Sequence, residues 1–389
     1  MDKGTTRRRF LALAAAGSIA GCLGQGGGTT DRPTGTEDGG SSPASDTDGP
    51  GGTATASDDG TNGASGSLPP LADATLPLPR DPSALRDLAV SGGPPKDGIP
   101  SIDDPSFEPA DEVGSRLSDD AVVFGVVRSG EAKAYPQSIL VWHEICNDVV
   151  GGDAVAVTYC PLTGTAMGFE RGRTTFGVSG RLVNNNLIMY DRATETWWPQ
   201  VLATSVPGPW NERPGTHSLR EFRLVWTTWQ RWRQAHPDTL VLTEDTGYAR
   251  NYDRDPYGSY TPLGGYYTSD TTIFERLNPD DRYGPKRVVL GARTADGAVA
   301  FLKDALREKR VLEGSLAGDA VVAVYDGPLD TGYVYRNPEG ATFERRDGSY
   351  VDGDGTAHEP DALPLESVLA FDAMWFAWSG FYPETSVHA

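Results

Sequence analysis

The side chains with the most chemistry in this chain are His143, Cys146 and Cys160. They fall in two strings, Trp142-His143-Glu144-Ile145-Cys146-Asn147-Asp148 and Tyr159-Cys160-Pro161-Leu162-Thr163-Gly164-Thr165, on either side of Gly151-Gly152. If those glycines form a two-residue hairpin turn, residues whose numbers sum to 303 face one another. His143 then stands opposite Cys160, and Cys146 points to the other face. A three-residue turn shifts the sum to 304 and makes Cys146 and Cys160 diagonal neighbours on one face. Four readings follow. Cys160 as a thiolate with His143 as its base is a nucleophile pair, because imidazole captures the thiol proton. His143, Cys146 and Cys160 as ligands would suit copper or zinc, which favour imidazole plus thiolate. A Cys146–Cys160 disulfide suits an oxidising compartment. A buried, inert cysteine beside a hydrogen-bonded histidine does no chemistry.

Two other clusters could line a binding surface. Asn184-Asn185-Asn186, Asp191-Arg192 and Trp197-Trp198-Pro199-Gln200 would make a polar cleft with aromatic walls, its ligand contacts being Asn185, Asp191, Trp198 and Gln200. The plainer reading is a strand and turn with ordinary capping residues. The stretch from Tyr248 to Tyr257 mixes tyrosine with charge, as sugar-binding loops do, but lacks the acidic spacing and central glycine of a calcium loop. His217, His236, His358 and His388 form no ligand spacing.

The elements that must position these residues emerge from comparing the chain with itself. Val122-Val123-Phe124-Gly125 recurs as Val288-Val289-Leu290-Gly291, 166 residues on, and Gly152-Asp153-Ala154-Val155 recurs as Gly318-Asp319-Ala320-Val321 at the same offset. A second block, at offset 146, sets Trp229, Trp232, Pro237 and Thr239 against Trp375, Trp378, Pro383 and Thr385. This pattern predicts an α+β, β-rich fold of two internally duplicated repeats, related by a pseudo-twofold, in one globular unit. The repeats span 119–239 and 285–385, with a connector at 240–284 and a lead-in segment at 71–118. Strands are expected over Val122 to Val127 and Ala154 to Tyr159. A helix capped by Thr227 and Thr228 is expected over Trp229 to Gln234, its tryptophans in the core and Pro237 stopping the run. Residues alike in both repeats serve the shared fold. His143, Cys146 and Cys160 have no counterpart in the second repeat, so one site rather than two is expected.

The chain's beginning gives its compartment. Arg7-Arg8-Arg9 precedes an apolar run, Leu11 to Ala20, that is too short to span a bilayer. This is a twin-arginine type export signal, and Ala20-Gly21-Cys22 makes residues 1–22 a lipoprotein signal with Cys22 as the lipidated residue. From 23 to 70 the chain is a stalk of Gly, Ser, Thr and Asp, a composition that cannot bury enough apolar surface to fold. The expected location is the extracytoplasmic face of the cell membrane, reached through the lipid anchor. A net charge of -20, with 54 acidic residues against 34 basic ones, points to a halophile and excludes nucleic acid as a partner.

Taken together, the strings Trp142-His143-Glu144-Ile145, Val157-Thr158-Tyr159-Cys160-Pro161-Leu162, Met189-Tyr190-Asp191-Arg192, His236-Pro237-Asp238-Thr239 and Arg254-Asp255-Pro256-Tyr257 resemble the prokaryotic family known as domain of unknown function 3179. The likeness covers nearly all of residues 80–385. It implies an exported or surface protein and no particular reaction. Members often carry a second cysteine three residues after the first, where this chain has Thr163. The function expected is a surface-tethered lipoprotein with a single thiol, metal or small-ligand site in the first repeat. The alternative is a non-catalytic envelope module that binds a glycan or a protein partner.

Overall fold

A computed structural model describes residues 67–389. The signal, Cys22 and residues 23–66 of the stalk lie outside the described residues.

The strands Val122–Arg128 and Glu131–Pro136 form an antiparallel pair in which Gly125 faces Ala134. The chain then enters the short helix Gln137–His143, which buries Ile139 and Leu140. Glu144 ends that helix by taking a left-handed φ of 59°, with its N–H donating to Leu140 O. A non-glycine residue there is costly, and the backbone hydrogen bond helps to offset the strain. Ile145–Val150, Asp153–Cys160 and Thr165–Glu170 follow as an antiparallel meander. Its first turn needs Gly151 and Gly152, which both have positive φ, 59° and 89°, as the tight hairpin geometry requires.

The same succession of elements recurs 166 residues later. Val288–Thr294, Gly297–Leu302, the helix Lys303–Lys309, Val311–Leu316, Asp319–Asp326 and Thr331–Arg336 follow in that order, with Arg310 at φ 72° in the place of Glu144. The closing pieces of each half, Val225–Thr228, helix Trp229–Ala235 and Leu240–Leu242, are matched 146 residues on by Ala370–Met374, helix Trp375–Phe381 and Ser386–His388. In each half the closing strand pairs antiparallel with the opening strand, and the final strand pairs parallel with the second.

The tryptophans expected at the core are there. Trp232 packs on Gly125 and donates its indole N–H to Thr239 Oγ1 at 2.9 Å, and Trp378 does the same with Gly291 and Thr385 at 3.0 Å. Thr228 sits at the N-cap of its helix with extended backbone, but its side chain makes no capping bond. Three boundaries differ from the expectation. Leu240–Leu242 and Ser386–His388 lie beyond the predicted repeat ends because each completes a sheet. The lead-in is part of the same structure, since Phe107–Pro109 adds an edge strand and Val90–Ser91 pairs with Phe176–Val183.

The whole is strand-rich with few helices, arranged in several sheets. Buried Arg293 joins the halves, donating to both Glu221 carboxylate oxygens at 2.8 and 3.1 Å, to Val201 O at 2.7 Å and to the Tyr382 hydroxyl at 2.6 Å. Such a desolvated ion pair is supported because each of the three guanidinium nitrogens finds an acceptor. Among the described residues no helix is long and apolar enough to cross a membrane.

Candidate functional site around Cys160

The hairpin has the two-residue turn, with Cys146 opposite Val157 and Ile145 opposite Thr158. His143 nevertheless does not face Cys160. It is the last residue of a helix rather than a strand residue, and the reversal at Glu144 turns it away. Its Nδ1 lies 2.7 Å from Pro100 O and its Nε2 lies 2.7 Å from the Tyr252 hydroxyl, so both ring nitrogens are engaged elsewhere. Burial pushes its pKa below the usual histidine value. Cys146 and Cys160 are free thiols, and they belong to different hydrophobic cores on opposite faces of the meander. The disulfide is therefore not made. Among the described residues no three His, Cys, Asp or Glu side chains are grouped to hold a metal ion, so the set His143, Cys146 and Cys160 does not form the copper or zinc site the sequence suggested.

The four contacts expected to line a polar cleft, Asn185, Asp191, Trp198 and Gln200, are all fully buried. Trp198 Nε1 donates to Asp191 Oδ2 at 3.0 Å, and the same carboxylate accepts from Thr194. Gln200 accepts from Thr165 Oγ1 at 2.7 Å and donates to Thr158 Oγ1 at 2.8 Å. Asn185 accepts from Phe274 N at 2.8 Å and so fastens the connector. A strand and turn whose polar groups satisfy one another explains these residues, which leave no free polar group for a ligand. Thr163 belongs to the same network: its hydroxyl lies 2.8 Å from Thr165 Oγ1 and accepts from Asn186 Nδ2 at 3.0 Å. The turn after Cys160 is thereby held rigid from beneath.

Cys160 itself has a different set of partners. Its sulfur accepts from Leu187 N at 3.4 Å and lies 3.6 Å from Asn185 O. Burial first, then the nearby Glu144 carboxylate, push the thiol up to about 11, against the opposing hydrogen bonds from Thr163 and Leu187. Glu144 is only 6% exposed and, among the described residues, its carboxylate has neither a hydrogen-bond nor an ion partner. Burial alone raises it to about 8. Lys286, on the lead into the second half, is the third member. Among the described residues its buried Nζ has no hydrogen-bond partner, and it sits 3.2 Å above the ring of Tyr266, whose hydroxyl donates to Leu162 O at 2.8 Å. Burial lowers this amine to about 7, while the Cys160 sulfur acts in the opposite direction.

Glu144, Leu162, Leu187, Tyr257 and Phe274 line a cavity of about 120 Å³, and Leu187 is also the residue whose N–H reaches the Cys160 sulfur. The connector closes this region through Asp255, which accepts from Gln137 Nε2 at 2.9 Å and from the Tyr267 hydroxyl at 2.7 Å. Sequence reasoning missed Glu144, Lys286, Tyr257 and Tyr266. The available signal was a lone acid in the apolar run from Ile139 to Ile145, and the scarcity of lysine, of which the chain has six. The Glu144 carboxyl and the Lys286 amine are each close enough to act electrostatically with the Cys160 sulfur.

No curated protein and no solved structure matches the chain. A family model does, that of the family described as protein of unknown function (DUF3179), over residues 96–385. That span takes in the first half, the connector, nearly all of the second half, and Cys160, Glu144 and Lys286, and the chain belongs to this family.

Proposed function

We propose that this protein is an exported lipoprotein, tethered through Cys22 to the extracytoplasmic face of the membrane, with one reactive site in its first half. The two halves are copies of one unit, a reading supported by the constant offsets and by matched pairs such as Gly125 with Trp232 and Gly291 with Trp378. In the second copy Asp326 and Arg310 stand where the first has Cys160 and Glu144, so the thiol site is single.

The observation that carries the reading is that Glu144, which lines the cavity, and Lys286 both act electrostatically with Cys160 while having no side-chain partner among the described residues. Buried charged groups without partners are expensive, and folds retain them where they are used. Cys160 keeps its proton at rest, because the Glu144 carboxylate binds a proton less tightly than the thiolate does. Above about pH 8, where Glu144 is ionised, sulfur would bond to the carbon of a small electrophile as its leaving group departs and the thiol proton passes to Glu144, with the Lys286 amine donating a hydrogen bond to the charge that develops.

The test is alkylation of the folded protein with iodoacetamide, followed by mass spectrometry of the modified peptides. At about pH 9, where Glu144 is ionised, Cys160 should be modified well before Cys146, and Glu144→Gln should slow it about tenfold, the usual weight of a general base being roughly 10²–10⁴ for a fully committed reaction. Equal and slow labelling of the two cysteines, unchanged in Glu144→Gln, would leave Cys160 as an inert core thiol.

A further inference from the structure

A second opening in the molecule is larger and owes nothing to Cys160. A cleft of about 420 Å³ has Val122, Trp226 and Thr227 on its first-half wall and Val288, Lys303 and Asp372 on its second-half wall, with Tyr260 of the connector at its side. Its volume is within the roughly 300–1,000 Å³ typical of small-molecule sites. Trp226 and Tyr260 meet edge to face with ring centroids 5.3 Å apart.

The charges in the cleft cancel in pairs. Arg287 pairs with Asp304 at 2.8 Å, Arg307 with Asp330 at 2.8 Å, and Lys303 with Asp372. Asp120 is left in excess, so nothing in the cleft recommends an anion. Among the described residues, two polar atoms on lining residues have no partner: the Thr227 hydroxyl and the second carboxylate oxygen of Asp372, on residues only 4% and 7% exposed. Leaving both unmade is costly, and a ligand that supplies their hydrogen bonds recovers that cost. Thr227 both donates and accepts, whereas Asp372 only accepts. A ligand hydroxyl can serve either atom. Beside them, aromatic and aliphatic surface suits the C–H face of a ring.

We propose that this cleft binds a neutral, polyhydroxylated ring molecule, that is, a saccharide. The site is distinct from the thiol site and does not rest on the reading of Cys160.

Tryptophan fluorescence and calorimetric titration of the full exported chain test this, with glucose, galactose, mannose and N-acetylglucosamine as probes, and spermidine and inorganic phosphate as charged comparators. At least one neutral sugar should bind, and Thr227→Val and Asp372→Asn should each weaken it about tenfold. Both substitutions nearly conserve shape, and a melting curve for each identifies a variant that fails to fold, in which case the other decides. Cys160→Ser should leave sugar binding unchanged. Failure of all four sugars at concentrations up to about 10 mM, tighter binding of spermidine or phosphate, or sugar binding unaltered in both folded variants would each overturn the proposal.

Discussion

Glu144 carries two burdens at one residue, a left-handed backbone and a buried carboxyl without a partner. The second makes stability depend on pH in a direction that can be worked out. The folded protein holds this proton up to about pH 8, whereas the ordinary value is 4.5, so between those values the folded state binds more protons than the unfolded one. Stability from this residue is therefore intact below 4.5 and falls as pH rises to about 8. Glu144→Gln keeps the shape and removes the titration. It should be close to neutral near pH 5 and stabilising by on the order of a few kcal/mol near pH 8, read as a gap between denaturation midpoints that widens with pH. A gap of constant size would mean that the carboxyl is solvated or paired. His143 and Glu144 are adjacent in sequence, and histidine was the natural choice of partner for a thiol. What separated them was the end of a helix, a local backbone event that residue type does not announce.

At the scale of elements, the strand around Gly125 and the Trp229–Ala235 helix were legible because a glycine and two tryptophans recur at fixed offsets. The helix Gln137–His143 was not. Its run Ile139-Leu140-Val141-Trp142 is apolar throughout, so strand and helix periods fit it equally, and the register argument extended the ladder through it. The hairpin at Gly151-Gly152 is legible in the sequence, but its register, and with it the face of Cys146, stays open there between a two-residue and a three-residue turn. Gly125 has a role the repeat could not explain alone. A Cβ there would overlap the Trp232 indole, which is fully buried and fixed by its bond to Thr239. Gly125→Ala should therefore destabilise by about 1–3 kcal/mol, the range for overpacking, with an equal effect for Gly291→Ala against Trp378. Thermal melting checks both, and an alanine tolerated at either position would show that the indole can move aside.

Over the whole molecule, a net charge of -20 repels itself at low salt and is screened within a few ångströms at molar salt. If Cys22 carries the anchor, Cys22→Ser should shift the chain from the membrane fraction to the soluble one with its fold unchanged, because acyl chains supply the membrane affinity. Retention in the membrane fraction would remove the lipid anchor from the reading. The described part is tied together across distant segments, and His143 is one of the knots. Pro100 O can only accept, so Nδ1 carries the ring proton and Nε2 must accept from the Tyr252 hydroxyl. With its own proton committed, Tyr252 receives from Thr246 Oγ1, 2.6 Å away. The result is a relay with a single sense, from connector to helix end to lead-in, in which one tautomer sets the orientation of every hydroxyl. A second proton on the ring would turn Nε2 into a donor, so that the Tyr252 and Thr246 hydroxyls would both have to reverse to receive it, and the burial that lowers the pKa of His143 opposes that reversal.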